Sequence, residues 1–307
     1  MQLRQKIKMH IPVLLKESIE YLSPKAGDTI VDGTINGGGH SEEILKIIGE
    51  SGMLVGIDQD CEVLNKLREK WKDRKNVLLA RDNFRNLDRV LETLKIEKAN
   101  GILLDIGVSS DQIDLSGRGF SFQKDEPLLM TMKAIIDPDD LTAKEMVNNW
   151  EEKELADAIW QYGEERFSRR IAKNIVRRRE MKPIETTFEL VDVIRESVPG
   201  VYRNKRRINC ATRTFQALRI VVNDELGALK EGLKKAVAKL KEGGRLAVIS
   251  FHSLEDRIVK NYFKEISASG EGKIMTKKPI IPTEEEVKNN PRSRSAKLRA
   301  IEKTTKQ

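Results

Sequence analysis

Two cysteines, Cys61 and Cys210, and three histidines, His10, His40 and His252, are all that the 307-residue chain offers of those types. Two isolated cysteines make no disulfide framework, and three scattered histidines give no zinc-type spacing, so no metal is expected. Long apolar runs are also missing. Nothing approaches the ~20 residues of a membrane-crossing helix, and the first residues, Met-Gln-Leu-Arg-Gln-Lys, lack the apolar core of a secretory signal. A cytoplasmic protein with no membrane partner is the expectation. What remains, 39% hydrophobic and 34% charged residues, suits a globular chain able to bury a large core.

The charge balance is 56 basic against 48 acidic side chains, a net +8. Its distribution says more than its sum. Basic residues gather in ERFSRRIAKNIVRRRE (165–180), RNKRR (203–207) and NNPRSRSAKLR (289–299). In the first, Phe167, Ile171 and Ile175 recur every four residues, and Arg166, Arg170, Lys173 and Arg177 fall on other faces, the pattern of an amphipathic helix with a basic exposed side. Any one cluster could be a solvated surface. Three together favour a nucleic acid partner, with Arg206, Arg207, Arg292 and Arg294 as further contacts.

Short β-rich runs alternate with helical patterns in the first third: DTIVDG (28–33), MLVGID (53–58), NVLLARD (76–82) and GILLDIG (101–107). Helical patterns at 61–71 and 86–94 complete the alternation expected of a parallel sheet. From about Asp114 the pattern becomes polar loop and then helices, with Trp150, Ala156, Ile159 and Trp160 read as one buried stripe. This predicts a helical insert, 114–208, between two parts of one α/β domain, 1–113 and 209–307. A single long helical pattern, 212–240, leads into a fifth strand, RLAVISFH (245–252), and the tail holds a closing pair of strands around a proline-rich turn segment.

The turn in VDGTINGGGHSEEIL (31–45) follows the first strand and opens a helix. In doubly wound folds a ligand sits at the carboxyl ends of the strands, where a glycine turn lets backbone approach it. Asp58, ending the second strand, stands where an acid accepts hydrogen bonds from a ribose diol. The turn is neither the G-x-G-x-x-G of a dinucleotide pyrophosphate site nor a P-loop. An adenosine-bearing cofactor is implied, and S-adenosylmethionine fits the turn better than a nicotinamide dinucleotide.

HIPVLLKESIEYL (10–22), DGTINGGGHSEEIL (32–45), GILLDIGVSSDQID (101–114), RGFSF (118–122), YGEERFSRRIA (162–172), ATRTFQALRI (211–220), SFHSLEDRIVK (250–260) and NPRSRSAKLRAIE (290–302) follow one another in order. Together they resemble the bacterial ribosomal RNA small-subunit methyltransferase H, or MraW, family over nearly the whole chain. The resemblance implies a Rossmann-like α/β methyltransferase with an inserted helical, substrate-recognising domain. It implies S-adenosylmethionine-dependent methylation of the exocyclic N4 of one cytidine in the decoding region of 16S ribosomal RNA. Matched residue by residue, it implies cofactor contacts from Gly38, Gly39, His40, Asp58, Phe84, Asp105 and Gln112.

Methyl transfer to a weakly nucleophilic amine depends on alignment, with a nearby group accepting the amino proton as the new bond forms. Asp105 is the first candidate for that neighbourhood, and Ser109, Ser110 and His252 are second. Neither cysteine stands in the Pro-Cys context that carbon-5 methylation needs, and the D/N-P-P-Y motif of many amino-methyltransferases is missing. Phe120, Phe122 and Phe251 are the few aromatics available to line a pocket for an unstacked base. The sequence departs from the family at Leu129 and Thr131, where an acid and an arginine are usual, and at Asn209-Cys210, where many relatives carry histidine or proline. Those departures keep a second reading open, an assembly or RNA-binding module with a retained pocket. A nicotinamide-dependent oxidoreductase is the third.

Overall fold

The computed structural model describes residues 12–108, 110–204 and 209–305. His10, Ser109, Arg206 and Arg207 lie outside them. The chain forms two units, residues 1–107 with 227–307 and residues 108–226.

The first unit opens with α1 (Leu15–Leu22), β1 (Thr29–Asp32), α2 (Gly39–Ile48), β2 (Met53–Asp58), α3 (Cys61–Lys70), β3 (Val77–Arg81), α4 (Leu87–Thr93) and β4 (Ala99–Asp105). The second unit holds α5 (Ser110–Leu115), α6 (Ala143–Asn149), α7 (Glu152–Gly163), α8 (Ser168–Met181), α9 (Thr187–Ser197), α10 (Gly200–Asn204) and α11 (Thr212–Val222). After α12 (Glu225–Lys239) the chain returns to the sheet through β5 (Leu240–Ser250), α13 (Ser253–Ala268), β6 (Gly272–Ile274), α14 (Glu284–Asn289) and β7 (Lys297–Lys303).

The sheet runs β3-β2-β1-β4-β5-β7-β6. β1 to β5 are parallel, and β7 pairs antiparallel with both β5 and β6. Its central strands read as continuous apolar runs because both faces are covered. Alternate residues therefore serve different cores. Val31, Val55, Ile57, Ile102, Leu104, Leu246 and Val248 pack with α4, α12 and α13. Ile30, Leu54, Leu103, Ala247 and Ile249 pack with α1, α2 and α3. This doubly wound arrangement makes the fold an α/β, Rossmann-like one, with its strand order reversing at β1 and β4.

The second unit has its own core, in which Leu128, Met146, Leu155, Ile159, Ile171, Ile175, Leu190, Ile194, Phe215 and Leu218 are buried. α11 contributes Phe215 and Leu218 to it, so this unit reaches beyond the 114–208 expected from pattern alone. The single helical pattern over 212–240 is interrupted at Asp224, whose φ is 44°. Asn223 fixes the break: its side chain donates to the Met130 carbonyl at 2.8 Å and accepts the Met132 N–H at 2.8 Å. Trp160 also departs from the expected stripe, being 60% exposed while Ala156 and Ile159 are buried. It lies about 40° beyond Ala156 around α7, past the edge of the apolar face.

Thr131 is buried, and its hydroxyl accepts the Lys133 N–H at 3.2 Å. Around it, Arg118 Nη1 donates to the Met132 carbonyl at 2.9 Å, and Lys133 pairs with Asp140 at 2.5 Å. Among the described residues no helix is long and apolar enough to cross a membrane.

Ile102 sits in the central strand with no exposed surface. Ile102→Ala is expected to lower the unfolding free energy of the sheet unit by about 2–5 kcal/mol through lost burial and a residual cavity, measured by urea denaturation.

Candidate functional site

The reversal of strand order puts the carboxyl ends of β1 and β4 side by side, and acids occupy both. Asp32 pairs in register with Leu103, so Asp105 stands two residues further along β4. Asp32 is buried, accepting from Ser41 Oγ at 2.6 Å and from the Thr34 N–H at 3.3 Å. Asp105 is buried as well. Its backbone N–H donates to Thr34 Oγ1 at 2.6 Å, tying β4 to the turn after β1. Its Oδ1 has no hydrogen-bond partner, and its Oδ2 lies 3.8 Å from His40 Nδ1, beyond hydrogen-bond reach.

Burial pushes the Asp105 carboxyl up to about 8, with the negative charges of Asp32 and Glu255 adding to the effect. Burial likewise raises Asp32 to about 6 against the hydrogen bonds of Ser41 and Thr34. Asp58, at the end of β2, is raised by burial to about 6, opposed by the N–H groups of Asp60 and Asn36, at 2.9 and 3.1 Å. No lysine or arginine forms an ion pair with Asp32, Asp58 or Asp105 among the described residues. The crevice is a place short of positive charge.

The glycine turn is shaped by packing as much as by any ligand. Gly38 takes φ 74° as the residue before α2, and a Cβ there would meet the Trp71 ring at 2.8 Å and Leu67 at 2.9 Å. At Gly39 a Cβ would meet Pro12 at 2.4 Å. No side chain caps α2, so its first N–H groups are left for partners outside the helix. His40, expected at the cofactor, turns its Nε2 to the Val13 carbonyl at 3.0 Å and is buried. The imidazole therefore pins the segment that precedes α1. Phe84 follows β3 half-buried, against Gly232, where a Cβ would lie 2.5 Å from its ring.

His252 is the N-cap of α13. Its Nδ1 accepts the Glu255 N–H at 3.4 Å, which leaves the proton of a neutral ring on Nε2, 3.1 Å from Glu255 Oε1. Glu255 in turn accepts the N–H groups of Phe251 and His252 through Oε2, at 2.9 and 3.2 Å. This reciprocal cap gives the histidine a structural role at the end of β5. Phe251 is partly buried against the sheet.

Six of the seven expected cofactor residues, Gly38, Gly39, His40, Asp58, Phe84 and Asp105, belong to the sheet unit, and Gln112 is buried on α5 of the other unit. Ser110 opens α5. Sequence reasoning missed Asp32, Thr34 and Glu255. Asp32 carried a usable signal, an acid closing the first strand directly before the glycine turn. Thr34 acquires its role only through tertiary contact, whereas Glu255 stands three residues after His252 in a local capping box that its spacing could have signalled.

In the second unit, Arg170, Lys173 and Arg177 form an exposed ridge on α8, and none of them has an acidic partner among the described residues. Arg166 continues the line, its guanidinium stacked 4.7 Å from the Phe167 ring centroid and 4.9 Å from that of Tyr202. Phe120 and Phe122 pack against this unit's core, Phe122 edge-to-face with Phe215 at 5.7 Å. Arg292 and Arg294 are exposed in a short 3-10 turn before β7.

A family model described as the MraW methylase family matches residues 7–304. The protein named ribosomal RNA small subunit methyltransferase H from Clostridium botulinum (strain Kyoto / Type A2) is 47% identical over 309 residues, covering 96% of this chain and 98% of its own. Proteins of the same name from Caldicellulosiruptor saccharolyticus and Heliobacterium mobile are each 49% identical, covering 96% of this chain and 99% and 98% of theirs.

Asp105 titrates near 8 in the folded chain and near ~3.9 when unfolded. The folded state therefore holds more protons across that interval, and stability falls as pH rises through it. Above about pH 7, where Asp32 and Asp58, both raised to about 6, are mostly ionised, the remaining slope up to about 8 is expected from Asp105. Asp105→Asn is expected to flatten it and to be the more stable protein at pH 8.5, as read by urea midpoints; an undiminished slope would assign the titration elsewhere.

Proposed function

The chain belongs to the MraW methylase family, and from that premise we propose that it methylates the exocyclic N4 of a cytidine in the decoding region of 16S ribosomal RNA, with S-adenosylmethionine as donor. The observation that carries this reading is the group of acids at the carboxyl ends of β1, β2 and β4, Asp32 and Asp105 buried and Asp58 half-buried, with no lysine or arginine paired to it among the described residues. A sulfonium and an ammonium group suit such a crevice. The two negative charges of a dinucleotide pyrophosphate would raise its electrostatic cost, which counts against a nicotinamide cofactor.

The residues present fit S-adenosylmethionine on the structure's own terms. Asp105 Oδ1 is buried and unpartnered, the start of α2 leaves N–H groups for a carboxylate, and Asp58 has lone pairs remaining for a ribose diol. Phe84 presents a half-buried ring for the purine, and Gln112 is assigned here as a further contact. When bound, the cofactor supplies a methyl group on a positively charged sulfur. Asp105 is held mostly protonated at neutral pH by burial and by its acidic neighbours. Positive charge beside it favours the carboxylate, which can then accept the proton that the N4 amine loses as its new bond to carbon forms. Ser109 and Ser110 are secondary candidates for contact with the base. His252 acts through its cap on α13.

The helical unit is assigned to substrate recognition, with the α8 ridge tracking phosphates. Arg206 and Arg207, and on the sheet unit Arg292 and Arg294, are proposed as further RNA contacts. The small ribosomal subunit, or its 16S RNA, is the partner, and the cytoplasm is where it would be met.

Two measurements test the reading. Labelled methyl from S-adenosylmethionine should enter small subunits lacking the modification as N4-methylcytidine, and Asp105→Ala should reduce transfer by about 10²-fold or more. Cofactor and subunit binding without transfer would instead favour an assembly role and direct attention to Leu129 and Thr131. Replacing Arg170, Lys173 and Arg177 together by glutamine should lower RNA affinity and make its logarithmic salt slope shallower by about 2, at ~0.7–0.9 per neutralised phosphate. An unchanged slope would remove α8 from the RNA surface.

A further inference from the structure

The second unit contains an open cleft of about 680 Å³ lined by Phe122, Phe188, Val191, Asp192, Arg195, Arg203, Asn209 and Cys210. Its size lies within the ~300–1,000 Å³ of sites that take small ligands. One wall is a single face of α9: Phe188, Val191, Asp192 and Arg195 recur at i, i+3, i+4 and i+7. Arg203 comes from α10, and Asn209 with Cys210 from the approach to α11.

The lining divides by chemistry. Phe122, Val191 and Cys210 make an apolar floor. Phe122 is fixed by its edge-to-face contact with Phe215, and burial raises the Cys210 thiol, which keeps it uncharged. Phe188 presents a ring that is 43% exposed. Arg195 and Arg203 are exposed, and neither forms an ion pair among the described residues, although Asp192 shares the same cleft. Asn209 accepts the Ala211 N–H through its Oδ1 at 2.9 Å, so its amide nitrogen has donors to offer.

An exposed ring, two guanidinium groups outside any ion pair and a short-chain acid and amide are complementary to one kind of ligand: a flat heterocycle bearing an anion. Aromatic rings stack on any base, arginine forks match phosphate oxygens, and a carboxylate or amide can read a base edge. We propose that this cleft holds an unpaired nucleotide of the RNA substrate, outside the cytidine being methylated, with its base on Phe188 and Phe122 and its phosphate on Arg195 and Arg203. The assignment rests on the proposed action on RNA, and it gives the helical unit a means of recognising single-stranded RNA beyond the charge of α8.

The test uses the full chain and a fluorescein-labelled single-stranded RNA of ten nucleotides, with binding followed by anisotropy over a salt series. Phe188→Ser is expected to weaken binding about tenfold with the salt slope unchanged, and Phe188→Tyr to restore it. Arg195→Gln combined with Arg203→Gln is expected to weaken binding at least tenfold and to make the slope shallower, by ~0.7 for each phosphate no longer neutralised. S-Adenosylhomocysteine affinity should be unaltered in all three, which also reports that they are folded. Wild-type affinity and slope in both the serine and the double glutamine variants would overturn the proposal. Cytidine 5′-monophosphate is expected to compete only at millimolar concentration; competition as tight as the oligonucleotide's would make the cleft a free-nucleotide site and overturn the RNA assignment. Absence of methyl transfer by the wild-type protein, with these RNA-binding losses intact, would sink the methylation reading and leave the cleft supported as an RNA site.

Discussion

The sheet unit is organised around carboxylates that lack a resident countercharge. Burying an ionised acid is costly, and an isolated one responds by holding its proton. Asp32 offsets part of that cost through Ser41 and the Thr34 N–H, and Asp58 through Asn36 and Asp60. Asp105 has one oxygen with no partner, and it carries the largest rise of the three. The position that the fold satisfies least is therefore the one to which a cationic ligand would contribute most.

The strain is placed there by the topology. Strand order reverses at β1 and β4, so no connecting loop crosses directly between their carboxyl ends. Thr34 spans that gap by accepting the Asp105 N–H, fixing the distance between the two acids' backbones. The glycine turn then runs close over the sheet, with Gly38 against Trp71 and Gly39 against Pro12. His40 completes the closure through Nε2 at the Val13 carbonyl, which only a protonated ring nitrogen can satisfy. The same residues that suggest a ligand are thus also required by packing, and the turn is pre-formed when a ligand arrives.

Strand positions were legible in the sequence because buried parallel strands are short apolar runs, and β1 to β4 fall within a few residues of those runs. Boundaries set by tertiary contact were not. The break at Asp224 depends on Asn223 reaching backbone about ninety residues away, and Trp160 is exposed because α7 has a finite apolar arc rather than a continuous stripe. At the site, Asp58 and Asp105 could be read as strand-end acids. The capping role of His252 lay in its local i, i+3 spacing to Glu255 but was masked because histidine is not one of the usual cap residues, while the bond from His40 to Val13 joins segments that no local pattern connects.

The two units differ in the charge of their notable features. The overall +8 conceals a sheet unit whose crevice is acidic and a helical unit whose α8 ridge and α9 cleft carry arginines and a lysine that form no ion pair among the described residues. A uniformly basic surface would attract RNA to the crevice but would disfavour a cationic donor within it; a uniformly acidic one would do the reverse. On the proposed action the acidic crevice of the sheet unit suits the donor and the guanidinium groups of the helical unit suit phosphate, although exposed Arg292 and Arg294 show that the sheet unit carries basic residues as well. Within the helical unit, guanidinium groups outside any ion pair suit phosphate oxygens, and within the sheet unit the acids keep their preference for positive charge.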